Sequence, residues 1–72
     1  MENKPTVVMM GLGYIGLPTA ALIASRGLKV TGVDIRQKVV DIINKGQIHI
    51  VEPDLDGLVH LVVKKGNLTA TV

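Results

Sequence analysis

The chain contains no cysteine in its 72 residues. Disulfides, thiolate metal sites and a cysteine nucleophile within these residues are therefore excluded. Tryptophan and phenylalanine are also absent, and Tyr14 is the only aromatic residue. Any core must be aliphatic, and no aromatic platform exists on which nucleic-acid bases could stack. Charge of one sign is not concentrated either. Eight basic and six acidic residues give a net charge of +2, and Lys64-Lys65 is the only adjacent basic pair. No nucleic-acid partner is expected from such a distribution. No apolar run approaches the roughly 20 residues that a membrane span needs, and the five-residue run after Pro5 is too short for a signal-peptide core. The chain is expected to be cytoplasmic, with no membrane partner. No cluster of His, Asp and Glu has metal-ligand spacing, so no metal site is expected.

What the sequence does have is apolar aliphatic content, 47% by the hydrophobic count, which implies a folded chain. A chain of this length is one small domain, or part of a larger one, and buries only roughly 60% of its unfolded surface. Its pattern alternates. Thr6 to Met10 is a valine-rich run that reads as a strand buried on both faces. Tyr14 to Arg26 reads as a helix, with Ile15, Thr19, Leu22, Ile23 and Arg26 at helical spacing. Pro18 stands near its first turn, where a missing N–H costs little, and Gly27 at the expected left-handed C-terminal cap. Leu28 to Asp34 is a second strand, with Val30 and Val33 its surest members. Arg36 to Lys45 is a second helix with Ile35, Val39, Ile42 and Ile43 as its stripe, ended by Gly46. Residues 47–52 form a connection in which "QIHIV" could be extended. Glu52-Pro53 is expected to open a third helix with proline at its first position and Asp54 and Asp56 in the first turn. Leu55, Leu58, Val59 and Val62 form its stripe, and Leu68 to Val72 starts a third strand. The order implies an α/β fold: a partial Rossmann, doubly wound parallel sheet of three strands in order 3-2-1 with three helices. Strand 1 then lies at one edge, uncovered and apolar, which invites pairing with a second copy as a homodimer or higher homo-oligomer.

Between the first strand and the first helix stands "GLGYIG". Gly11, Gly13 and Gly16 fit G-x-G-x-x-G, a short pattern whose meaning depends on its flanks. Here a strand precedes it and a helix follows. A helix N-terminus offers unpaired N–H groups and partial positive charge, which suits a pyrophosphate. Gly11 permits the tight turn, Gly13 leaves the pyrophosphate unobstructed, and Gly16 lets the helix lie close to the sheet. Tyr14 and Ile15 are expected to supply backbone N–H donors. The pattern also calls for an acid about 20 residues on, at the end of the second strand. Asp34 stands there, eighteen residues past Gly16. Its carboxylate would accept from ribose hydroxyls and repel a 2′-phosphate, so NAD rather than NADP is the expected cofactor. Arg36 is expected to line the adenine-ribose edge.

Two separated stretches, "GLGYIGLPTAALIASRGLKVTGVDI" and "INKGQIHIVEPDL", resemble the start of the UDP-glucose/GDP-mannose dehydrogenase family. Within that family "GYIGLPTA" and "GQIHIVEPDL" are similar to the members that act on UDP-N-acetyl-D-mannosamine. The resemblance covers nearly the whole chain. It implies a parent enzyme that oxidises the C6 alcohol of a UDP-sugar to a carboxylate in two NAD-dependent steps, here to UDP-N-acetyl-D-mannosaminuronate for bacterial surface polysaccharide. It places NAD contacts on the glycine turn, on Tyr14 and Ile15, and on Asp34. It puts the catalytic residues downstream, so residues 1–72 are expected to be an N-terminal piece of the dinucleotide-binding domain, inactive alone. UDP-glucose or GDP-mannose as substrate, or a non-enzymatic nucleotide-binding regulatory module, are the competing readings.

The remaining polar residues have simpler explanations. His49 and Glu52 are read as a solvated loop histidine and a helix-start acid, against a substrate or interdomain contact. His60 falls off the apolar stripe of its helix and is expected to be exposed. Asp54 and Asp56 are explained by a helix first turn better than by acid–base chemistry, and Lys64-Lys65 by the dipole at the helix end.

Overall fold

A computed structural model describes residues 6–72; the polar opening segment, residues 1–5, lies outside the described residues. The elements alternate as β1 (Thr6–Met10), α1 (Gly16–Ser25), β2 (Lys29–Val33), α2 (Gln37–Asn44), α3 (Leu55–Lys64) and β3 (Leu68–Thr71). The three strands form one parallel sheet in the order β1-β2-β3, so β1 is at one edge as the alternation implies. The register sets Val7 beside Val30 and Val30 beside Leu68, and likewise Met9, Gly32 and Ala70 in one row. Because side chains alternate along a strand, these rows share one face.

That face carries the core. Leu12, Leu17, Ile43, Val59, Val62 and Leu68 are the largest fully buried side chains, and each contributes about 1.5–3 kcal/mol by leaving water. The opposite face is open. Val8 and Met10 are 57% and 73% exposed, so β1 is not buried on both faces as its unbroken apolar run suggests. All the described helices pack into the single cluster around Val30, Leu68 and Ala70, which leaves the other side of the sheet bare.

The apolar stripe of α1 also differs from the expected one. Leu17, Ala20, Ala21 and Ala24 are buried, whereas Ile15 and Leu22 are exposed and Ile23 only partly buried. Apart from Leu17, the helix approaches the sheet and α3 through its alanines, and Leu22 is turned outward. Its end conforms to expectation. Gly27 takes φ +93°, and its amide donates to the Ala24 carbonyl at 3.0 Å, closing the last turn in a conformation that costs glycine little. In α2 the buried stripe is Val39, Val40 and Ile43. Ile35 is 94% exposed, because it precedes the helix in the turn that leaves β2.

Two further boundaries shift. The third helix begins at Leu55, and Pro53 sits in the turn before it rather than at the first helical position. Asp54 takes the left-handed conformation at φ +64° and makes no side-chain cap, while the Leu55 amide donates to the Glu52 carbonyl. Asp56 does stand in the first turn, and Lys64 in the last. The stripe Leu55, Val59 and Val62 is buried as expected, with Leu58 half-buried. Residues 47–51 form no strand; the chain bends at His49 and Ile50, and buried Ile50 anchors the crossing.

Asn44 closes the other edge of the sheet. Its amide Nδ2 donates to the Ala70 carbonyl and its Oδ1 accepts from the Ala70 amide, both at 2.8 Å. One side chain thus mimics a neighbouring strand and satisfies a donor and an acceptor that β3 would otherwise present unpaired.

Candidate cofactor site

The site lies where β1 and β2 end and α1 begins. The ladder continues one step past the strands: the Gly11 amide donates to the Val33 carbonyl at 2.7 Å and the Asp34 amide to the Thr71 carbonyl at 3.0 Å. Gly11 then turns the chain at φ +95°, which only glycine adopts cheaply. A Cβ on Gly16 would collide with the Gly11 carbonyl. Gly16 therefore brings the first turn of α1 onto the turn itself, a closer approach than the helix-to-sheet contact expected of it. Gly13 faces open space, with no atom within 4 Å of where its Cβ would stand.

The tip of α1 is bare. It has no side-chain cap and no acidic residue in its first turn. The amides of Gly13, Tyr14 and Ile15 meet no acceptor among the described residues. The Tyr14 and Ile15 side chains point to solvent. A helix end of this kind holds partial positive charge and free donors, the two things a pyrophosphate requires.

Among the described residues Asp34 is the only charged one that is buried. Its Oδ2 accepts from the Leu12 amide at 3.0 Å, which ties the end of β2 to the glycine turn. Oδ1 accepts from the Arg36 amide at 3.0 Å. The Arg36 guanidinium spans both oxygens, Nε to Oδ1 and Nη2 to Oδ2, each at 2.9 Å. The Arg36 side chain, followed by the Arg36 and Leu12 amides, holds the Asp34 carboxyl well below the usual carboxylate range. The same contact raises the Arg36 pKa. Arg36 therefore lies on the acid itself, not merely along the edge of the site. Met10, Gly11, Val33, Asp34, Ile35 and Arg36 line an opening of about 320 Å³, which brings the expected glycine, acid and arginine together.

Three contributors escaped the sequence reading. Gly32 lies on the core face, and a Cβ there would stand 2.5 Å from Leu12 Cδ2; a glycine inside a strand is the signal for such a close approach. Leu12, the variable position inside the motif, is fully buried and anchors the turn from beneath. His49 is not a solvated loop residue. Both ring nitrogens are buried and lack a hydrogen-bond partner among the described residues. Burial, and then the Arg36 charge, lower its pKa, opposed by Asp34 and the Leu12 backbone. His60 is exposed, as expected. No group of three metal-ligating side chains occurs among the described residues.

A parallel sheet with a glycine turn feeding an uncapped helix, and an acid tied to that turn from the next strand, defines a Rossmann-type dinucleotide-binding unit. Residues 5–72 match the NAD binding domain of the UDP-glucose/GDP-mannose dehydrogenase family, and the chain belongs to that family. It is 71% identical over 71 residues to a UDP-N-acetyl-D-mannosamine dehydrogenase of Campylobacter jejuni, covering 99% of this chain and 17% of that protein. It is 62% identical over 66 residues to an NDP-N-acetyl-D-galactosaminuronic acid dehydrogenase of Ralstonia nicotianae, covering 92% of this chain and 16% of the relative. The solved UDP-D-ManNAc dehydrogenase of Pyrococcus horikoshii superposes with a TM-score of 0.89 at 46% identity, over 93% of this chain and 16% of that one. The chain thus spans about one sixth of the length of these relatives.

Proposed function

We propose that the chain binds the adenosine and pyrophosphate half of NAD as the N-terminal part of a dehydrogenase that oxidises UDP-N-acetyl-D-mannosamine to UDP-N-acetyl-D-mannosaminuronate. The observation that carries the binding reading is the Leu12–Asp34 bond, which holds a buried carboxylate beside a bare helix tip. In this reading the amides of Gly13, Tyr14 and Ile15 receive the pyrophosphate, Gly11 and Gly16 shape the turn, and Asp34 takes the ribose hydroxyls with Arg36 at its rim. NAD, when bound, supplies the hydride acceptor. The residues of this chain bind and orient it, and none is assigned a catalytic role. Calorimetric titration of NAD into the chain and into Asp34→Ala tests the assignment. An affinity about 10- to 100-fold weaker in the variant is expected from the loss of charged hydrogen bonds; equal affinities would remove Asp34 from the site.

The sugar rests on similarity alone. The 71% identity to the C. jejuni protein favours N-acetylmannosamine, and the 62% identity to the R. nicotianae protein supports an N-acetylgalactosamine reading as the second choice. NAD reduction by the protein carrying this chain, assayed with both UDP-sugars, separates the two. Self-association belongs to the same proposal: among the described residues β1 pairs on one side only, and it bears exposed Val8 and Met10. A monomer at all accessible concentrations in sedimentation equilibrium would remove it. No described helix is long and apolar enough to cross a membrane.

A further inference from the structure

The carboxylate assigned to the ribose is fully engaged before any ligand arrives. Oδ1 accepts the Arg36 amide and Arg36 Nε–H, and Oδ2 accepts the Leu12 amide and Arg36 Nη2–H, at 2.9–3.0 Å. An ionised carboxylate has about four acceptor directions, so none is left over. Two of the four donors are backbone amides, that of Leu12 in the glycine turn and that of Arg36 in the connection after β2, and neither can leave without undoing its segment. The other two belong to one side chain, and that side chain is 54% exposed. A ligand can therefore reach Asp34 only where the guanidinium now lies.

We propose that Arg36 is a self-inhibitory latch on the ribose subsite, displaced from Asp34 when the cofactor binds. The proposal rests on the NAD reading above. The exchange balances for a vicinal diol. Its two O–H groups replace two N–H groups, one on each oxygen, and the carboxylate remains satisfied throughout. A ribose bearing a 2′-phosphate returns only one donor and sets an anion against the acid. The released guanidinium has water to enter, because Arg36 and the neighbouring Ile35 are both exposed. The latch also serves the empty site, since it keeps a buried carboxylate paired that would otherwise stand with open acceptor positions.

The test follows the Arg36 Nε–H resonance of the isotopically labelled chain during titration with NAD. In the free chain the proton is expected to exchange slowly. At saturation its resonance shifts and exchange with water accelerates, while the amides of the glycine turn shift in parallel. The Arg36→Met variant, which keeps the bulk and loses the donors, is expected to bind NAD about two- to fivefold more tightly, the worth of a partly exposed ion pair. Turn amides that shift while Nε–H stays protected would overturn the latch and leave the NAD reading intact, as would weaker binding by Arg36→Met. If NAD shifts neither the turn amides nor Nε–H, the NAD reading fails and the latch with it.

Discussion

The Leu12 amide donates to the Asp34 carboxylate across 22 positions of sequence. That bond fixes how far the helix tip stands from the acid. It also explains why the position inside the glycine motif is a buried leucine: the side chain pins the turn into the core while the backbone addresses the carboxylate.

The glycines of the turn are expected to separate by function. Gly13→Val adds atoms into open space. Stability should change by no more than about 0.5 kcal/mol, as for a surface substitution, while NAD affinity falls at least about tenfold through obstruction of the pyrophosphate. Gly16→Ala drives a Cβ into the Gly11 carbonyl. It should cost about 1–3 kcal/mol or more, as overpacking does. Urea melts and NAD titrations of the two variants check both halves.

Gly32→Ala should displace Leu12, whose Cδ2, Cδ1 and Cγ would lie 2.5, 2.8 and 3.1 Å from the new methyl. A loss of about 1–3 kcal/mol is expected, or roughly 4–8 °C in Tm per kcal/mol for a chain of this size. Leu12→Ala vacates the space. The Gly32→Ala change should therefore cost less in that background than alone, and a double-mutant cycle measures the coupling.

His49 makes stability depend on pH. Its pKa in the folded chain is lowered, first by burial, so the unfolded chain binds the proton more tightly. The stabilisation is fully present above the unfolded value near 6.5 and is lost as pH falls through the lower folded value. The urea midpoint should fall between pH 7 and pH 5 more steeply in the natural chain than in His49→Gln. Equal slopes would contradict the burial of the ring.

Asn44→Ala should remove both bonds to Ala70 and leave that strand edge bare. About 2 kcal/mol of stability is expected to go with them. Thermal unfolding measures it, and faster exchange of the Ala70 amide localises it.

Element types and order were legible because each hydrophobic run has a period and a glycine or proline at its margin. The candidate site was legible for a similar reason: Gly11, Gly13, Gly16 and Asp34 are fixed by spacing along one β-α-β unit. What escaped detection depends on contacts between segments. The inward face of α1 is its alanine face, because closeness to the sheet and α3 counts for more than side-chain size there. The unbroken run of β1 suggests two buried faces, but the described helices all pack on one side. His49 reads as a loop residue until the bend at His49 and Ile50 carries it against the Leu12 backbone and near Arg36. Pro53 yields the helix start to Leu55 because the preceding turn closes on Glu52. Asp34 and Arg36 are two positions apart, yet nothing in the residue types alone says that the guanidinium covers both oxygens.

The most direct measurement is an amide-resolved titration of the labelled chain with NAD. The amides of Gly13, Tyr14 and Ile15 should shift together and saturate at one concentration, followed by Leu12 through its bond to Asp34. Shifts confined to a second hollow, lined by Asn44, Gly46, His60 and Lys64, with the three turn amides unmoved, would contradict the site.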